Sequence, residues 1–182
     1  LSQKPFVLDL ADGERLADLA DTQSVKLAVN QNGRWAPHFS YLRHAVASGI
    51  IGDVTSVHID IHWDHTWIAG KPFEKVYDIV LYDFAIHWFD IVTCFFGAKP
   101  WQRVYASNAR ATGQPVQPPL LGQALMEYED AQASLVFDAN LKFGPQDTTY
   151  IGGTKGSILS TGPHLGDQTV TIFTEQGQAQ SQ

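Results

Sequence analysis

The spacing of apolar residues changes along the chain, and the changes mark its organisation. Residues 12–22 set Leu16, Leu19 and Ala20 on one face with acids opposite, the period of an amphipathic helix. Val25 to Val29 is a short apolar run that predicts a strand, and Asn30-Gln31-Asn32-Gly33 predicts a turn. Pro37 suits the first turn of a helix carrying Phe39, Leu42, Ala45 and Val46, ended by Gly49. The first 50 residues therefore read helix, strand, helix, a pattern of α/β layers.

The period then shortens. From Asp53 to Trp63, Val57, Ile59, Ile61 and Trp63 alternate with His58, Asp60, His62 and Asp64, which predicts a long strand with one apolar face. A loop with Trp67, Gly70 and Pro72 follows, then an apolar helix from about Asp78 to Phe96, stopped by Gly97. Strands are predicted near 101–109, 122–128, 131–141, 147–152, 156–161 and 168–174, with the polar, Gln-rich end from 176 frayed. Strands in a row after helices predict an α+β sheet with helices on one face.

Composition narrows the function classes. The 182 residues are 44% apolar and 17% charged, which excludes global disorder and allows a core without staples. Nineteen acidic against 12 basic residues leave a net charge of -7, which argues against a protein held on nucleic acid or acidic lipid by charge. Apolar stretches are broken within about 8 residues, short of the ~20 that span a bilayer. A lone cysteine, Cys94, forms no internal disulfide and suits a reducing, cytoplasmic setting. The N-terminus, Leu1-Ser2-Gln3-Lys4-Pro5, has neither an initiator Met nor a charged-then-apolar leader; either a signal was removed or the chain is a fragment.

The sharpest chemical pattern lies on the apolar helix, where Asp83, His87 and Asp90 are spaced by four and three residues and share a stripe. A carboxylate one turn from an imidazole can orient it for proton transfer near neutral pH. The blander reading is a polar stripe around a satisfied histidine. His58, Asp60, His62 and His65 invite a metal reading, but His58 and His62 are ~13 Å apart on a straight strand, so no metal site is expected. Trp63, His65 and Trp67, with Tyr82, suit the wall of a cleft that stacks on a hydroxyl-rich ring, though tryptophans also serve interfaces. No Gly-x-Gly-x-x-Gly turn or Gly-x-Ser-x-Gly elbow occurs.

In order along the chain, these features resemble the second half of the Gfo/Idh/MocA oxidoreductases, named after glucose-fructose oxidoreductase and inositol dehydrogenase. Gln3-Lys4-Pro5 resembles the family's Glu-Lys-Pro, Arg34-Trp35-Ala36-Pro37 its Arg-x-x-Pro, and Gly49-Ile50-Ile51-Gly52 its Gly-x-Ile-Gly. Asp83, His87 and Asp90 match its Asp-x-x-x-His-x-x-Asp helix, and Gly153 to Ser157 its Gly-Thr-x-Gly-Ser hairpin. The resemblance implies that residues 1–50 end a Rossmann domain whose earlier part is missing here. It makes 51–182 a substrate and oligomerisation domain with an open-faced, mixed, largely antiparallel sheet. It implies NAD or NADP as cofactor and a sugar, polyol or related small molecule as substrate. His87 would be the principal acid/base, Lys4 a charge-stabilising donor and Asp83 a substrate contact, with Trp63, His65, Trp67 and Tyr82 on the substrate. Lys4, Pro5 and Arg34 would touch the cofactor. Gln3 departs from the family's glutamate. Lys4, Asp83 and His87 are expected to converge on one pocket, and the open sheet face to make a homo-oligomer. A non-catalytic sugar-binding or dimerisation module and a metal-dependent hydrolase or lyase stay open as alternatives.

Overall fold

The computed structural model describes residues 1–97 and 99–181, and it divides into two compact units, Leu1–Asn32 and the residues from Gly33 onward. In the first unit, β1 (Ser2–Gln3) and β2 (Val29–Asn30) run parallel, joined by α1 (Leu10–Thr22). Parallel neighbours require such a crossover, because a tight turn can only reverse a strand. Of the expected apolar helix face only Ala20 is buried; Leu16 and Leu19 are exposed, as are Val25 and Leu27 of the expected strand. One helix and two two-residue strands supply no second layer to cover these side chains. The run from Val25 accordingly becomes a strand only at its last residue and Asn30.

The second unit comprises α2 (Pro37–Ala47), β3 (Val54–His62), α3 (Ile86–Phe96) and the strands β4 (Arg103–Ala109), β5 (Leu121–Glu127), β6 (Gln132–Asp138), β7 (Gln146–Gly153), β8 (Gly156–His164), β9 (Asp167–Thr174) and β10 (Gly177–Ser181). β3 to β10 form one sheet in the order β10-β9-β8-β7-β3-β6-β5-β4. Within this sheet, among the described residues, only the β3–β6 pair is parallel. The result is the α+β architecture expected, a mixed, largely antiparallel sheet with helices over one face.

The alternation of β3 is what seats the core. Val57, Ile59 and Ile61 are at most 1% exposed and meet Trp88, Ile91, Val92 and Phe95 of α3, with Phe39 and Leu42 of α2. Those α3 residues recur at three- and four-residue steps, which gathers them on one face. Burying each such side chain contributes about 1.5–3 kcal/mol. The opposite face carries His58, Asp60 and His62 beside Ser134, Val136 and Tyr150, and is only half-buried.

Two of the short motifs prove to be one clasp. The Lys155 N–H donates to the Ile51 carbonyl (2.8 Å), the Thr154 N–H to the Asp53 carbonyl (3.0 Å), and the Asp53 N–H to Thr154 Oγ1 (3.0 Å). Gly52 holds φ +72°, and a Cβ at Gly153 would collide with the Ile51 carbonyl, so each motif needs its glycine. The clasp pins the start of β3 to the β7–β8 hairpin.

Two expectations fail. The single helix over 78–96 is interrupted: Val80–Phe84 is a π-turn, closed by the Ala85 N–H on the Val80 carbonyl at 2.7 Å, and α3 starts only at Ile86. The polar end is not frayed, because Gly177–Ser181 pairs antiparallel with β9. Among the described residues no helix is long and apolar enough to cross a membrane.

Candidate functional site

Asp83 lies in the π-turn and His87 in the first turn of α3, so their four-residue spacing straddles the change of helical geometry. π-Turns are rare and recur at functional sites. Phe84 and Trp88, which follow Asp83 and His87 in the chain, anchor an aromatic cluster. The His65 ring lies 4.4 Å from Phe84 and 5.0 Å from Trp67, and Trp63 meets Phe84 and Trp88 edge-on at 5.4 and 5.6 Å. Edge-to-face packing of this kind adds about 0.5–1.5 kcal/mol per pair beyond area burial. Trp63, His65 and Trp67 thus form one continuous wall, from half-buried Trp63 to exposed Trp67, whose ring also carries the Lys71 ammonium at 4.7 Å. Tyr82 has different neighbours. It lines an open depression of about 500 Å³ with Asp78, Leu81 and residues 106–108 of β4. Desolvation, then the Asp83 charge, raises its phenol above the ordinary value.

The Asn32–Trp35 turn contributes two further contacts from Gly33 and Arg34. Arg34 forks onto Asp90, Nε to Oδ2 at 2.5 Å and Nη2 to Oδ1 at 2.6 Å. The Asp90 hydrogen bond holds the guanidinium above its ordinary range. The Arg34 carbonyl in turn accepts from Ser40 Oγ at 3.3 Å and Arg43 Nη2 at 3.0 Å. Gly33 lies flat against His87: a Cβ there would stand 3.1 Å from Nδ1 and 3.2 Å from the His87 Cβ. Arg34, expected at a cofactor, therefore has its fork engaged by Asp90.

Lys4 and Pro5 belong to the first unit, at the end of β1, where Gln3 Oε1 accepts from Asn30 Nδ2 at 3.2 Å. The start of α1 does not fit a dinucleotide's pyrophosphate. Such a group needs a glycine turn and an open helix N-terminus, whereas the N-terminus of α1 is closed by the Asp9 carboxylate, which accepts from the Ala11 N–H at 2.8 Å. Nor do three His, Cys, Asp or Glu side chains converge to hold a metal ion among the described residues. His58 Nδ1 is instead 2.7 Å from Ser134 Oγ. Burial pushes the Cys94 thiol up, which keeps it protonated and unreactive.

Two buried titratable groups escaped the sequence reading. Asp147 on the core face of β7 is 1% exposed, and burial pushes its carboxyl up to about 7. His38 in the first turn of α2 is 5% exposed, and burial pulls its imidazole down to about 4. Position parity could have exposed Asp147, since it alternates in phase with buried Thr149 and Ile151.

Residues 39–159 match the family model described as the GFO/IDH/MocA C-terminal domain. The D-apiose dehydrogenase of Paraburkholderia graminis is 25% identical over 164 residues, covering 87% of this chain and 43% of that protein. An oxidoreductase from Agrobacterium radiobacter, solved with NAD+, L-tartaric acid and magnesium, superposes with a TM-score of 0.84 at 21% identity, covering 98% of this chain and 52% of that one. An inositol dehydrogenase homologue from Azotobacter vinelandii, solved with NADH and myo-inositol, gives a TM-score of 0.79 at 18% identity, covering 99% of this chain and 48% of that one. The chain spans 43–49% of the length of the curated relatives it matches.

Proposed function

Because the chain belongs to the GFO/IDH/MocA family, we propose that it is the substrate-domain portion of an NAD- or NADP-dependent oxidoreductase acting at a hydroxyl-bearing carbon of a sugar, a polyol or a related small molecule. The observation that carries the reading is the family match over residues 39–159, which contains the π-turn that carries Asp83 and the start of α3 that carries His87, beside an aromatic wall. The dinucleotide's pyrophosphate would be held by sequence outside this chain. That division agrees with the exposed apolar side chains Leu8, Leu10, Leu16 and Leu19 around α1, which resemble a layer lacking its partners. Relatives solved with NAD+ and L-tartaric acid, or with NADH and myo-inositol, support the substrate class.

A hydroxyl-bearing carbon is oxidised only as its hydroxyl loses a proton, so a base must lie within hydrogen-bond reach of that oxygen. His87 takes that role, accepting the proton in oxidation and returning it in reduction. Lys4, at the end of β1, is assigned as a charge-stabilising donor to the substrate. Asp83 accepts from a neighbouring substrate hydroxyl, and Trp63, His65 and Trp67, with Tyr82 nearby, pack on the ring's apolar face. We also assign the open face of the sheet to a homo-oligomer contact. Tyr105, Val136, Tyr150 and Phe173 on that face stay 37–51% exposed, large apolar side chains that a partner would cover. A screen of the complete protein with NAD+ and NADP+ against aldoses, inositols and sugar acids tests the activity. Reduced-cofactor absorbance on at least one of them is expected, and none across the panel would overturn the reading.

A further inference from the structure

We propose that the Gly33–Arg34 turn is a positioning brace for His87, and that it leaves Nε2 as the ring nitrogen that handles the proton. The inference rests on the functional reading above and extends it to Gly33 and Arg34. Three observations carry it.

The Gly33 backbone covers the ring edge from Cβ through Cγ to Nδ1, since a Cβ at Gly33 would lie 3.1–3.3 Å from those three atoms. Real side chains seldom approach so closely, so any residue but glycine there would displace the imidazole by a few tenths of an ångström. Nδ1 is itself buried. Only the opposite edge, with Nε2, can then face a substrate oxygen.

The turn is fixed to α3 by a charged fork. Arg34 Nε and Nη2 bond both Asp90 oxygens, and the Asp90 side chain is 11% exposed. A two-point contact between planar groups sets orientation as well as distance. Asp90 is three residues after His87, close to one helical turn, so the fork holds the segment of α3 that presents the imidazole.

The turn is also tied to α2, through the hydrogen bonds from Ser40 and Arg43 to the Arg34 carbonyl. It cannot drift with α3 alone. Together these contacts give Asp90 a role that its place in the Asp-x-x-x-His-x-x-Asp pattern does not suggest: it anchors the brace and leaves proton transfer to His87.

The test has two readouts. In this chain, ¹⁵N correlation spectra of the imidazoles report the tautomer and environment of His87 without any turnover. Gly33→Ala and Asp90→Asn are each expected to move the His87 ring nitrogen signals while leaving those of the other six histidines in place. In the complete protein, the same variants should lower kcat by up to about 10²-fold, the effect of misplacing a reacting group by roughly 1 Å. They should also shift the pH profile of kcat while KM changes little. Arg34→Lys, which keeps the charge but loses the fork, should fall between wild type and Asp90→Asn.

The outcomes separate the brace from the functional reading. Folded Gly33→Ala and Asp90→Asn variants with unshifted His87 signals and an unchanged pH profile would overturn the brace. His87→Ala with undiminished turnover would overturn the functional reading, and the spectra would still decide whether the brace holds the ring.

Discussion

Replacing Asp147 with Asn is expected to stabilise the second unit at neutral and alkaline pH. The carboxyl lies on the core face of β7, opposite Ile61 on one side and Gly162 on the other, at 1% exposure. Burial raises it to about 7 from its ordinary 3.8. A raised carboxyl means that the folded chain binds the proton more tightly than the unfolded one. Its contribution is therefore fully present below pH 3.8 and is lost as pH rises through about 7. The gap of about 3 pH units, at 1.36 kcal/mol each, corresponds to roughly 4 kcal/mol between acid and alkaline conditions. Water entry and local relaxation trim that figure, so Asp147→Asn should gain about 2–4 kcal/mol at pH 8 and almost nothing at pH 4. His38 works in the other direction. Its imidazole is lowered to about 4 from 6.5, so its contribution is lost as pH falls through that window. In the wild type the two slopes oppose each other between about pH 4 and 6.5, and Asp147→Asn should expose the His38 slope alone. Urea unfolding at half-unit steps from pH 4 to 8 reads both effects. A stability difference between Asp147→Asn and wild type that is flat with pH would refute the reasoning, as would a less stable variant at pH 8.

Further outcomes follow from the same structure. Gly153→Ala should cost about 1–3 kcal/mol in urea unfolding, because the new methyl strikes the Ile51 carbonyl in the clasp; an unchanged midpoint would show that the clasp gives way freely. Isothermal calorimetry on this chain should detect no micromolar NAD+ or NADP+ binding, since α1 is capped by a carboxylate and no glycine fingerprint is present. The complete protein should scatter light as a dimer or larger at tens of micromolar, and Val136→Lys at the centre of the open face should dissociate it; a wild-type monomer would refute the contact.

Residues with a periodic signal were readable in advance. The alternation of Val57, Ile59 and Ile61 predicts the buried face of β3. β10 was missed because all five of its residues are exposed, so its pairing to β9 is made by backbone groups that leave no trace in hydropathy. The π-turn was missed because it differs from an α-helix by one residue of hydrogen-bond register, which Leu81, Tyr82 and Asp83 do not encode in their spacing. In the candidate site, Asp83, His87 and the tryptophans stood out by type and neighbourhood. The Arg34–Asp90 fork did not, since 56 residues separate its ends and only the packing of α3 beside the 32–35 turn brings them together. Gly33 was legible as a turn residue, but the ring that it covers is 54 residues away.

The turnover of His87→Ala in the complete protein, measured as hydride transfer to or from the nicotinamide with the best substrate found, tests the assignment of proton transfer most directly. A folded variant with native substrate affinity should lose about 10²–10⁴-fold in kcat, the contribution of a positioned acid/base. Turnover equal to wild type across the pH range would contradict the assignment of proton transfer to His87, and with it the proposed chemistry of the site.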